Sequence, residues 1–158
     1  MRLALLCSAI ALLAAGCGNG APLSRPDFIV QANTICRTLT DQEHADPRTD
    51  PATTFNNTLG YLKDAVGKLD KLNPPATSQA PFKDMMTHFH SMLTFLDKNT
   101  AFLVALTVHL QQNPRDTKAL DRFQTFIKPF DDDAAAAKSD AETLVLPACA
   151  AGLGSAGN

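Results

Sequence analysis

Phenylalanine or leucine stands at every seventh position from residue 82 to residue 110: Phe82, Phe89, Leu96, Leu103 and Leu110. Seven residues are close to two turns of α-helix, so these five side chains share one face of a single long helix. Met85, Met86, Met92, Leu93 and Leu106 flank the row at helical spacings. The pattern predicts a helix from near Ser78, with Pro81 in its first turn, to about Leu110. A helix with one apolar stripe must bury that stripe against other elements.

The rest of the chain supplies the cover in the same period. Ser24-Arg25-Pro26-Asp27 has the form of a capping box, and Phe28, Ala32, Ile35, Cys36 and Leu39 then recur on one face to about residue 44. After a turn at Asp46–Pro51, Phe55, Leu59, Leu62, Val66 and Leu69 form a second stripe, ending at Asn73-Pro74-Pro75. Within it Gly60 and Gly67 leave room for a close neighbour. Asn113-Pro114-Arg115-Asp116 opens a last helix, with Leu120, Phe123, Ile127, Phe130, Ala134, Ala137, Ala141 and Leu144 in threes and fours. That stripe stays in register through Pro129, which removes one backbone N–H and bends the axis. No strand period or internal repeat competes. The expectation is all-α: an antiparallel four-helix bundle, its fourth helix kinked at Pro129, with one disulfide.

The first residues read differently. Met1-Arg2 is a short positive start, and Leu3 to Ala15 is an apolar run of thirteen residues, too short to span a bilayer and right for a secretory signal. Leu13-Ala14-Ala15-Gly16-Cys17 resembles the bacterial lipobox, in which small residues precede a cysteine that is diacylated and becomes the mature first residue. Leucine commonly stands three before that cysteine; here Ala14 does, with Leu13 one further back. The expected organisation is a lipoprotein signal peptide over 1–16, acylated Cys17 and a flexible tether over 17–25, a helical domain over 26–149 and a disordered tail over 150–158. Two acyl chains meet the requirement for stable attachment, so the first partner is the membrane, through the lipid anchor, at the extracytoplasmic face of the cell membrane. The tether spans only ~16 Å root-mean-square, which keeps the domain close to the bilayer.

Cys7 leaves with the signal and Cys17 carries lipid. Cys36 and Cys149 remain, and in an oxidising compartment they pair. Net charge is -2, one unit more negative once Arg2 is removed with the signal. Nucleic acid is excluded as a partner, because phosphate binding needs a basic patch.

Asp84-Met85-Met86-Thr87-His88-Phe89-His90-Ser91-Met92 looks like a soft-metal site. At 100° per residue, however, His88 and His90 lie 200° apart and cannot share an ion. His88 with Met85 and Met92 is the remaining metal candidate, an arc that suits Cu(I). Both methionines also flank the phenylalanine stripe, where methionine is an ordinary core filler, so no metal is expected. Asp131-Asp132-Asp133 lacks the alternating ligands and turn glycine of a calcium loop and reads as solvated charge. Glu43-His44-Ala45-Asp46 puts a carboxylate and an imidazole in a turn, without a nucleophile or pocket beside them. No haem, zinc, phosphate-loop or nucleophile-elbow motif occurs, so neither a cofactor nor a catalytic residue is expected. Phe95, Phe102, Val104 and Val108 lie off the main stripe. With Phe126 they form a wider buried face, line a cavity, cover the longer helix ends or face a partner, the buried face being the ordinary outcome.

Phe28-Ile29-Val30-Gln31-Ala32-Asn33-Thr34-Ile35-Cys36, then Leu69-Asp70-Lys71-Leu72-Asn73-Pro74-Pro75, then Cys149 near the end, resemble a broad group of small actinobacterial secreted proteins and lipoproteins of unassigned function. Where that group often has an aromatic-Gly-Leu segment before its last cysteine, this chain has Leu144-Val145-Leu146-Pro147. The resemblance implies the helical fold and the Cys36–Cys149 bridge and brings no catalytic residue. Two functions follow as expectations: a non-catalytic helical interaction or scaffold module with an envelope protein partner, or a carrier or sensor that holds a lipid, haem or copper ion between helices.

Overall fold

Three of the helices open on a side chain that satisfies a free backbone N–H. Ser24 Oγ accepts from Asp27 N, Asp50 Oδ1 from Thr53 N and Asp116 Oδ1 from Ala119 N. They open α1 (Arg25–Ala45), α2 (Pro51–Leu69) and α4 (Thr117–Thr143). The first cap departs from a capping box in one respect. Ser24 Oγ also donates to the Asp27 carboxylate, at 2.5 Å, so the acid holds the hydroxyl. α3 (Gln79–Gln112) follows a single 3₁₀ turn (Ala76–Ser78) and has no side-chain cap. α5 (Pro147–Gly154) closes the chain.

The structure is a computed structural model and describes residues 21–47 and 50–154. Among these residues it is all-helical, with five α-helices and no strand. The signal, Cys17 and residues 155–158 of the tail lie outside the described residues. No described helix is long and apolar enough to cross a membrane.

The core lies where the four stripes meet. Phe28, Ala32, Val66, Leu69, Phe82, Met85, Phe89, Met92, Ala137 and Ala141 are buried together. Phe28 meets Phe82 edge to face at 5.2 Å between ring centres, which ties the first turn of α1 to the first turn of α3. Successive helices pack on one another, and α5 packs on both α1 and α4. Leu23 N donates to Asn73 O, and Lys63 pairs with Asp97 at 2.6 Å. α4 runs unbroken through Pro129, as one helix. Gly60 and Gly67 have no close neighbour among the described residues, none of which stands within 4 Å of where a Cβ would be. Leu120, placed on the α4 stripe by its period, is exposed, and Ala119 is buried in its stead.

The end of the chain overturns one expectation. Pro147 occupies the first turn of α5, where its missing N–H is no loss. The tail is therefore helical as far as Gly154 where disorder is expected from Ala150, and Ala150 itself is buried. The reversal between α4 and α5 explains how so short a link suffices. Leu146 N donates to Ala141 O and Val145 N to Glu142 O, the paired bonds of a Schellman cap. Val145 takes the left-handed position at φ 61° that glycine usually fills. Leu146 is then fully buried against the core, while Val145 stays 52% exposed. The Cys36–Cys149 bridge is present, with Cα atoms 5.0 Å apart. Asn33 Oδ1 accepts from Ala148 N at 2.9 Å, one turn below the bridge. The same Asn33 amide donates to Ile29 O, so this buried side chain is used at both ends.

Candidate functional site

α5 has eight residues against the twenty-one of α1, and it covers only part of the seam between α1 and α4. Its contacts follow the rise of α1, from Ala148 at Asn33 to Gly152, where a Cβ would stand 3.6 Å from Thr40 Oγ1. Beside and beyond it lies a cavity of about 310 Å³ lined by all five helices. α1 contributes Cys36, Leu39, Thr40 and Glu43, and α2 contributes Phe55, Thr58, Leu59 and Leu62. Phe89, Met92 and Leu96 of α3, Phe130 and Ala134 of α4, and Ala148, Cys149, Gly152 and Leu153 of α5 complete the wall.

The composition of this wall sets what it can hold. It is apolar except for Thr40, Thr58 and Glu43, and the disulfide forms part of it. Leu39, Phe55, Leu62, Leu96 and Phe130 stand on core stripes yet remain only half-buried, because no described residue fills the space in front of them. A concave apolar surface with a few polar groups near its rim, at the lower end of the usual ligand-pocket volume, is the ordinary form of a small-molecule site.

The histidines and methionines are separated as helical geometry requires. Met85 and Met92 are buried in the core, at 0% and 3% exposure. His88 turns toward α4, where its Nδ1 lies 2.8 Å from Asp133 Oδ1, and Ser91 Oγ donates to Asp133 Oδ2. His90 turns toward α2 and meets Asp70 at 3.0 Å. Among the described residues no group of three His, Cys, Asp or Glu side chains is placed to hold a metal ion. Asp133 thus departs from the solvated reading of the triple acid, whereas Asp131 is exposed and Asp132 pairs with Lys128. Burial works to raise the Asp133 carboxyl, but the Ser91 hydroxyl and His88 outweigh it and hold it below its ordinary value. Asp140 on the same seam is raised by burial and by the Asp84 charge, against the pull of His88. Asp116 is lowered by its hydrogen bond with His109, which joins the end of α3 to the start of α4 at 3.0 Å.

Glu43, His44 and Ala45 belong to α1 rather than to a turn. Glu43 lines the cavity, His44 is exposed, and Asp46 is buried as the C-cap, accepting from Asn57 Nδ2 at 2.9 Å. Phe95, Phe102 and Phe126 do come together, with ring centres of Phe102 and Phe126 4.5 Å apart and of Phe95 and Phe126 5.2 Å apart. They stack on the α3–α4 flank, with Phe102 47% exposed, and none of the three lines the five-helix cavity. A stripe on a helix does not say whether the space before it is filled. The cavity residues are indistinguishable in sequence from core, and their only signal is the length of the element that should cover them. Proline at 147 and glycines at 152 and 154 bound a helix too short to span α1, and that pattern marks the open seam.

Compared with protein-family models, with curated proteins and with solved structures, the chain matches none.

Proposed function

We propose that this chain is a membrane-anchored extracytoplasmic lipoprotein that holds a small apolar ligand between its helices, as a carrier or sensor and not as an enzyme. The cavity of about 310 Å³ carries the reading. Acylated Cys17 keeps that cavity at the bilayer surface, where apolar molecules are concentrated. Its frame is an antiparallel bundle of α1–α4 with α4 bent at Pro129. The bond from Leu23 to Asn73, which brings the start of α1 to the end of α2, supports the antiparallel order. The resemblance to small actinobacterial lipoproteins fits the same assignment.

Native mass spectrometry of the mature protein released from its own membranes tests the proposal. One small molecule per chain is expected, and Ala148→Leu, which fills the cavity from α5, should abolish its retention. A protein that carries nothing and leaves apolar probes unbound would overturn the reading. One observation favours the scaffold function instead: Phe102 in the C-terminal half of α3 and Leu120 in the first turn of α4 are 47% and 44% exposed. An empty protein that crosslinks through those two residues to an envelope protein would establish that alternative.

A further inference from the structure

We infer that ligand binding in the cavity is coupled to the Cys36–Cys149 bridge: reduction of the bridge by a dithiol releases α5 and empties the cavity, and a bound ligand shields the bridge from reduction. The inference rests on the cavity reading and names the regulation of that site.

The bridge stands in two roles at once. It clamps α5 to α1, and both of its cysteines line the cavity. α5 is poorly equipped to keep its place without that clamp. Its eight residues are fewer than the ~12–15 that a helix needs to persist in water by itself. Gly152 and Gly154 weaken it further, and Leu153, its largest apolar side chain, is only half-buried. Its fully packed side chains are Ala150 and Cys149, and the second of these is half of the bridge. The disulfide therefore does for α5 what packing does for the longer helices.

Cys36 and Cys149 are buried, at 6% and 3% exposure, so an attacking thiolate approaches them through the cavity. One thiolate of the reductant displaces a cysteine sulfur and forms a mixed disulfide. Its second thiol then closes on that bond, the reductant leaves as a disulfide, and the other cysteine is freed. Two electrons and two protons have passed from the dithiol to Cys36 and Cys149. Once loose, α5 takes Ala148, Cys149, Gly152 and Leu153 out of the wall and admits water to the apolar space. A tenfold loss of affinity is ~1.4 kcal/mol, which at ~25 cal/mol per Å² equals contact with ~55 Å² of apolar surface, or ~14 Å² from each of the four residues. Linkage makes the effect reciprocal. Saturating ligand must shift the thiol–disulfide equilibrium toward the bridge by the same factor, ~30 mV for tenfold.

The test uses the full chain in lipid nanodiscs with naphthalene, whose roughly ten-atom size suits a cavity of about 310 Å³ at ~30 Å³ per atom. Binding in excess of that to empty discs is measured with the bridge intact and after reduction by dithiothreitol. Hydrogen exchange follows the amides of α5 against those of α2 and α3. Reduction should weaken binding at least roughly tenfold and expose the α5 amides while α2 and α3 stay protected. In dithiothreitol buffers of graded potential, saturating naphthalene should favour the bridge by the same factor. A smaller difference in affinity overturns the coupling and leaves the cavity as a binding site. An equilibrium that naphthalene leaves unmoved overturns the shielding. Loss of protection across α2 and α3 on reduction also overturns the inference, because the bridge then holds the whole fold and not one wall. Naphthalene bound by neither form overturns both the coupling and the cavity reading.

Discussion

Replacing Val145 by glycine should stabilise this protein, against the ordinary direction of such a change. Val145 is the left-handed residue of the cap that ends α4, at φ 61°. A left-handed position costs an L-residue ~1–2 kcal/mol, and a β-branched side chain belongs at the upper end of that range. Glycine removes this strain. Against it stands the greater freedom glycine gives the unfolded chain, ~0.5–1 kcal/mol. The packing lost is small, because Val145 is already 52% exposed; at roughly half of the ~1.5 kcal/mol for full burial it amounts to ~0.7 kcal/mol. The balance is a gain of ~0.5 kcal/mol, or less where packing is better than exposure suggests. The control is Val30→Gly on α1, 63% exposed in ordinary helical backbone, where no strain is relieved and ~0.5–1 kcal/mol should be lost. Urea denaturation followed by circular dichroism reads both as midpoint shifts at constant slope. Opposite signs are the expected result. If Val145→Gly lowers the midpoint as far as Val30→Gly does, the strain is not there and the account of the reversal is wrong.

The Cys36–Cys149 bridge closes a loop of 113 residues, for which chain entropy gives a ceiling of ~4.8 kcal/mol; replacing both cysteines by alanine should lose ~3–5 kcal/mol in the same assay, and a loss under ~1 kcal/mol would contradict it. Asp133→Asn should cost ~1–2 kcal/mol near neutral pH, since both Ser91 and His88 pair with the carboxylate. Because folding lowers the Asp133 pKa, its contribution is fully present above the ordinary carboxylate range, about 4, and is lost as pH falls through the folded value, so the wild-type and variant stabilities should converge in acid. Ala148→Leu should raise the melting temperature of the ligand-free protein while removing ligand retention, as differential scanning calorimetry and native mass spectrometry would record. Cys17→Ser should move the protein from the membrane fraction to the soluble one; unchanged fractionation would remove the anchor from the proposal.

The elements were legible because their signals are local. The caps at Ser24 and Asp116 and the stripes of Phe28, Leu59, Phe82 and Ala137 depend only on neighbours three or four residues away. The cysteine pairing was legible from count, once the signal and lipobox expectations set Cys7 and Cys17 aside. What failed depends on distance in space. Leu120 keeps the α4 period but lies exposed, while Ala119 beside it is buried. Pro147 carries two physical meanings, a stop for one helix and a start for the next, and only the position-145 reversal selects between them. Asp133 was readable as an acid on an outer face, but its pairing with His88 and Ser91 needs the approach of α3 and α4. The cavity was least legible of all, because it is a mismatch of two helix lengths and no single residue encodes it.

That mismatch is also the strongest physical argument that the cavity has a use. Unfilled volume lowers stability by ~24 cal/mol per Å³ in enclosed cores, and even a fraction of that over about 310 Å³ is large beside the ~5–15 kcal/mol that holds a domain together. The deficit would be easily reduced, since Ala134, Ala148 and Gly152 all stand on the wall and each could carry a larger apolar side chain. A Cβ on Gly152 would make only ordinary contact with Thr40, so even glycine is not forced there by crowding. Meanwhile the disulfide and the Asn33 bond to Ala148 hold α5 at one height along α1. A chain selected for stability alone has no reason to combine small residues on the wall with a rigid clamp beside it. A chain that must admit and retain a small apolar molecule needs both.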